Sequence, residues 1–282
     1  MEPIFWTSWK NLCEEHGTVW ETGDSAPVEK IVYVTADHFD SFIKEKFELK
    51  DKTIVSAGSD FGFHEYDPRM HEQDMRRFWP MLDISKLNMR DLHYPARLNP
   101  ERCISSDIFC VRSYSWMMST FSVKSNFRWF ATNNCLNFGN KIPFGCQEEE
   151  YHLALKYKGL PKKQRIFVCF SSNTNERHSL KEQLKNKDNF YVKDNIDKEE
   201  FVYDLATSTH CLSLPGNGKD LFRNALSIYL DTRPTFTKDC MEFNPYGDLA
   251  SYISFNDMTI VDGAYTNKNL VDLAFWRGLI IN

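Results

Sequence analysis

Short apolar runs recur along the chain, each closed by a turn and followed by a stretch of helical periodicity. Residues 31–35, 53–57, 107–111 and 127–131 read as buried strands. Each run is too short for a helix and rich in β-branched or aromatic side chains. Between them, residues 37–47 and 68–78 carry apolar positions at helical spacing. Strands that alternate with helices imply a parallel sheet covered by helices.

The region 147–164 interrupts this pattern. An acidic triple, Glu148, Glu149 and Glu150, is followed by Lys156, Lys158, Lys162 and Lys163 around Pro161. A polar helix and loop at a domain boundary is expected there, its charges forming a solvated face. The alternation then resumes. Strands are expected at 165–171, 190–192, 210–214 and from 234, and helices at 176–186, 197–207, 219–230 and 269–281. Asp197 is the N-cap of its helix and Glu200 stands at the capping-box position. The expected fold class is therefore α/β, with one Rossmann-like domain over 1–147 and a second over 148–282. The last helix is expected to pack back on the first domain. Parallel sheets of this kind bind ligands at the carboxyl ends of their strands.

Length and composition agree with two domains. The chain has 282 residues, which suits two units of ordinary size. Its 42% apolar and 15% aromatic content is enough for a core in each. No run of 18 apolar residues is present, so no membrane-spanning helix is expected. The first residues lack a basic start followed by an apolar run, so a signal peptide is not expected and the anticipated location is cytoplasmic. A net charge of −5 argues against a nucleic-acid partner, which would call for a basic face. The eight cysteines form no C-x-x-C pair and read as free thiols rather than disulfides or a zinc site.

The most informative chemistry lies between Leu214 and Arg223. A strand ends, Pro215, Gly216, Asn217 and Gly218 make a turn, and a helix begins. Glycines let backbone approach a ligand, and the N–H groups at a helix start favour an anion such as a diphosphate. Arg223, one turn into the helix, has the planar fork that clamps phosphate. Asp220 is three residues before it, spaced to pair with it or orient it. The other reading of this segment is an ordinary strand–turn–helix junction, since it is neither a Walker loop nor a G-x-G-x-x-G fingerprint.

The run from Ser208 to Arg223, followed by Tyr229, Leu230 and Pro234, resembles the nucleotide-sugar-binding segment of exostosin-like glycosyltransferases of the GT-B fold. Upstream, Ser171 to Arg177 is similar to that family's S-x-N-T-x-x-R strand end. Trp129 to Asn133 and Pro143 to Gly145 are similar to its W-F-A-x-N and P-x-G elements. The resemblance spans about residues 128–236. It implies two Rossmann-like domains facing each other across a cleft. It also implies transfer of a sugar from a nucleotide-diphosphate donor, a UDP-sugar first of all and UDP-xylose among the candidates, to a hydroxyl of a glycan. Inversion is the implied stereochemistry. Matched residue by residue, Asn173, Thr174 and Arg177 would approach the donor, and Pro215, Gly216, Asn217, Gly218, Asp220 and Arg223 would form the donor loop. No DxD-type metal motif is present, so neither a metal nor another cofactor is expected beyond the co-substrate itself. Two positions depart from the family: its ribose-holding Glu falls at Leu226, and a Gly falls at Asp231. A non-catalytic glycan- or nucleotide-binding relative is the alternative these departures raise.

An inverting transfer needs a general base beside the acceptor oxygen. Asp60 follows the 53–57 strand between Gly58 and Gly62, and is the first candidate. His64 and Glu65 are alternates, with Asp37 and His38 behind them. An Asx-turn is the structural reading of Asp60.

Overall fold

A computed structural model describes residues 1–39, 42, 45, 47–58, 127–133, 139–170, 175–214, 220–237 and 244–282. The strand expected at 107–111 and the helix expected at 68–78 lie outside these residues. The fold is mixed α/β, with strands running parallel in two sheets. The chain divides into two compact units. One lies within Thr7–Ile142 and Arg277–Asn282, the other within Met1–Trp6, Pro143–Pro215 and Asp220–Trp276.

The first unit is built on α1 (Ser8–His16) and a five-stranded sheet. Its strands are β1 (Thr18–Trp20), β2 (Ile31–Thr35), β3 (Thr53–Ala57), β4 (Arg128–Ala131) and β5 (Asn140–Lys141). They lie in chain order and every neighbouring pair is parallel. Four residues of β2 and all five of β3 are buried. Burial on both faces explains why these runs lack apolar–polar alternation, and the polar members of β3, Thr53 and Ser56, are buried with the rest. Trp20, Phe42, Phe39 and Trp129 fill the core beside them. The Phe39 and Trp129 rings stack at 5.1 Å, and the indole N–H of Trp129 donates to Ser56 Oγ at 3.1 Å. The aromatic pair thus keeps its one polar atom satisfied inside the core. Gly17 joins α1 to β1, where a Cβ would lie 2.1 Å from the Ile31 carbonyl oxygen.

The second unit carries α2 (Glu148–Ala154), β6 (Lys163–Val168), α3 (Asn175–Lys185), β7 (Phe190–Val192), α4 (Lys198–Ala206) and β8 (Ser208–Ser213). It continues with α5 (Phe222–Tyr229), β9 (Arg233–Thr237), β10 (Ser251–Ser254) and β11 (Thr259–Asp262). The last helix, α6, is Leu273–Ile281, and its residues from Arg277 onward belong to the first unit. The sheet order is β11-β10-β9-β8-β6-β7, parallel except for the β10–β11 hairpin. No described helix is long and apolar enough to cross a membrane.

Local signals set several boundaries. Asp197 Oδ1 accepts from the Glu200 N–H at 2.7 Å, so the expected cap starts α4. Instead of closing a capping box, the Glu200 carboxylate accepts from Lys193 Nζ at 2.8 Å. The helix expected from 219 begins at Phe222, because Leu221 is extended and the Asp220 carboxylate takes the Leu221 N–H at 2.9 Å. Helix α5 ends in a Schellman motif: Thr232 N–H donates to Ser227 O at 2.8 Å and Asp231 N–H to Ile228 O at 3.0 Å. Asp231 takes φ of 58°, a conformation that glycine adopts most freely.

The first six residues give no periodic signal, yet they are stitched into the second unit. Phe5 bridges Cys146 and Pro3 bridges Asp272. The Ile4 N–H donates to Tyr229 Oη at 2.7 Å, and Ile4 is fully buried. Isolated bridges of one residue each leave no pattern that a sequence window can detect.

Candidate functional site

Strands β7 and β8 flank β6 on opposite sides, so the chain reverses its direction of travel across the sheet at β6. Open α/β sheets bind ligands outside the carboxyl ends of the strands at such a reversal. A cleft of about 750 Å³ lies there. Cys169 and Phe170 after β6, Lys193 and Asp194 after β7, and Arg223 at the start of α5 line it, with Glu150 of α2.

Arg223 is placed by the first turn of α5, whose apolar residues are buried behind it. Its guanidinium is half-buried and donates to the Cys169 carbonyl, with the Phe201 ring 6.0 Å away. That bond ties the start of α5 to the end of β6. Among the described residues no carboxylate lies within ion-pair distance of Arg223. A guanidinium has five N–H donors in a fixed fork, and Arg223 lines the cleft with the Cys169 carbonyl as its one acceptor among the described residues.

Lys181 does the opposite. It is 2% exposed, and its ammonium donates both to the Phe170 carbonyl and to Asp194. Asp194 also lies 3.4 Å from Lys185. The hydrogen bond from Lys181 holds the Asp194 carboxyl below the ordinary range. This network joins the segment after β6 to the segment after β7 and fixes the floor of the cleft. Nothing in the sequence singles Lys181 out, because a lysine on a polar helix is normally solvated.

Asp220 does not share the cleft with Arg223. It is 1% exposed, and its oxygens accept from the Phe144 N–H at 2.8 Å, Asn224 Nδ2 at 2.7 Å and the Tyr246 hydroxyl at 2.8 and 2.9 Å. Burial pushes its carboxyl up to about 6, against the pull of these donors. Asp220 is thus an interior hub that holds α5, the Phe144 segment and Tyr246 together. Leu226 is fully buried in the core of the same helix.

The remaining expected site residues are placed only in part. Arg177 lies on α3. Asn173, Thr174, Pro215, Gly216, Asn217, Gly218, Asp60 and His64 lie outside the described residues. Among the described residues, no group of three or more His, Cys, Asp or Glu side chains is arranged to hold a metal ion. Cys13, Cys146, Cys169 and Cys211 carry free thiols. Burial pushes the Cys13 and Cys146 thiols up to about 12 and Cys211 up to about 11, which leaves them unreactive. No protein-family model matches the chain, and no curated protein matches it.

Proposed function

We propose that the protein is a glycosyltransferase of GT-B type. It moves a sugar from a nucleotide-diphosphate donor, with UDP-sugars, UDP-xylose included, as the first candidates, to a hydroxyl of a glycan acceptor. The observation that carries this reading is Arg223. It is a half-buried guanidinium with no described carboxylate partner, held at the carboxyl end of β6 where the sheet reverses, beside a cleft of about 750 Å³. A diphosphate leaving group gains negative charge as the glycosidic bond to it breaks. A guanidinium fixed in advance stabilises that charge without reorganising, and in this reading it takes the place of a metal. Asn173, Thr174 and the 215–218 turn complete the donor site in this proposal. Asp60 or His64 takes the acceptor proton, giving inversion by direct displacement.

A second reading is favoured by Leu226. A fully buried leucine stands where the resembling family keeps its ribose-holding glutamate. A binding relative without turnover would keep Arg223 and the cleft and lose the chemistry.

Titration calorimetry with UDP, GDP, CMP and ADP in EDTA tests the donor site. The expected result is tight UDP binding that Arg223→Ala abolishes. Binding of no nucleotide by folded protein counts against both readings. Nucleotide binding with neither donor hydrolysis nor transfer, across a panel of donors and acceptors, selects the second.

A further inference from the structure

The charged side chains that line the cleft are almost all already paired. Lys181 is taken by Asp194, Lys185 by Glu182 at 2.7 Å, Lys193 by Glu200 at 2.8 Å and Lys198 by Glu149 at 2.6 Å. Asp197 caps α4. Two opposite charges in the wall remain without an ionic partner among the described residues: Arg223 and Glu150. Both are half-buried. Burial raises the Glu150 carboxyl, while the charges of Lys198 and Arg223 draw it back down, so Arg223 is within electrostatic reach yet forms no ion pair with it. Two opposite charges facing one cavity without closing on each other leave room for a ligand that satisfies both. Such a ligand brings an anion to the guanidinium and a hydrogen-bond donor to the carboxylate.

We infer that Glu150 is a specificity-determining residue of the cleft, accepting hydrogen bonds from hydroxyl groups of the same ligand whose phosphates bind Arg223. This rests on the nucleotide-sugar reading above and deepens it. The cleft would then distinguish a hydroxyl-bearing diphosphate from a bare one. The distinction would come from α2, a helix whose sequence reads only as a solvated acidic turn. A carboxylate that only repelled phosphate would act the other way, so the two roles have opposite signs.

The test is calorimetry of wild type, Glu150→Gln and Glu148→Gln with pyrophosphate, UDP, 2′-deoxy-UDP and UDP-glucose. Glu148 is exposed, lies beside His152 and is outside the cleft lining, so its variant makes the same change of net charge two residues away without freeing a cleft cation. Glu150→Gln is expected to weaken UDP or UDP-glucose by about tenfold or more, the effect of losing a hydrogen bond to a charged acceptor. Pyrophosphate should stay within about twofold, as should every probe on Glu148→Gln. A loss already seen with UDP, and absent with 2′-deoxy-UDP, assigns Glu150 to the ribose. A loss confined to UDP-glucose assigns it to the transferred sugar. Equal changes for pyrophosphate and UDP, tighter binding, or an equal effect of Glu148→Gln overturn the assignment. If wild type binds UDP and Glu150→Gln matches it on every probe, only the Glu150 role falls. If wild type binds pyrophosphate and no nucleotide, the donor reading falls and takes this one with it.

Discussion

Asp220 and Arg223 stand three residues apart in one short segment, and the fold treats them in opposite ways. The acid is sealed inside, where the Phe144 and Leu221 N–H groups, the Asn224 amide and the Tyr246 hydroxyl donate to it. The base reaches the cleft and spends one hydrogen bond on a carbonyl. The spacing alone suggests an ion pair on one helix face. The structure separates them because Asp220 precedes the helix: Leu221 is extended and the helix begins only at Phe222. The buried acid fixes where α5 starts, and the position of that start aims Arg223. A structural residue therefore sets the geometry of the candidate site, and a side chain left unpaired marks where a ligand is expected.

Removing the acid is expected to have the largest effect. Asp220→Ala leaves several buried donors without an acceptor and is expected to cost about 4 kcal/mol of stability, read by chemical denaturation. If the loss is under about 1 kcal/mol, Asp220 is not the hub described here.

The pH dependence sharpens the same contrast. Asp220 titrates near 6 in the folded protein, against 3.8 for an ordinary aspartate. A raised folded value means that the native state holds this proton more tightly. The stability it contributes is therefore full below about pH 4 and is lost as pH rises through about 6, on the order of 3 kcal/mol in all. Asp194, held low by Lys181, acts in the opposite sense and loses its contribution as pH falls below the ordinary aspartate range. Denaturation from pH 4 to 7 should show the Asp220 slope flattened in Asp220→Asn.

Arg223→Ala should leave stability nearly intact, with an unfolding midpoint within about 2 °C of wild type, because it gives up a single bond to a carbonyl. Nucleotide affinity should fall about a hundredfold or more, which is the loss of a charge-assisted clamp. A large drop in melting temperature with unchanged affinity would reverse the roles assigned to the two residues.

The smallest effect is at the other end of α5. Asp231→Gly relieves the left-handed backbone but loses the exposed Lys268 pair at 2.6 Å. A net gain of about 0.5 kcal/mol is expected from thermal melts, since exposed pairs contribute little.

Much of the fold is legible along the chain. The runs at 31–35 and 53–57 became strands with the same limits, since a strand buried on both faces reads as a short run without apolar–polar alternation, and 190–192 did so as a short β-branched and aromatic run at the sheet edge. The Asp197 cap was legible because capping is local: a side chain and the N–H three residues on. The β10–β11 hairpin was missed, since β11 is mostly exposed and carries no strong apolar alternation. The helix expected from 269 starts at Leu273, after a 3₁₀ turn over Lys268–Val271. Of the candidate site, Arg223 was legible as a residue type that binds phosphate close to a helix start, though it stands second in α5 rather than a turn into it. Glu150 was not, because an acidic triple at a helix start looks the same whether its third member faces water or a cleft.

The sequence by itself determined the α/β class, the strand runs at 31–35 and 53–57, the Asp197-capped helix and an arginine near the start of α5. All of these follow from interactions within a few residues or from the burial that an apolar run demands. Only the tertiary structure decided that residues 1–6 close the second unit, that Lys181 is buried against Asp194, and that Asp220 turns inward while Arg223 turns to the cleft. Those outcomes depend on which strands become neighbours. The desolvation of a charge, and whether a partner meets it, is set by segments tens to hundreds of residues away.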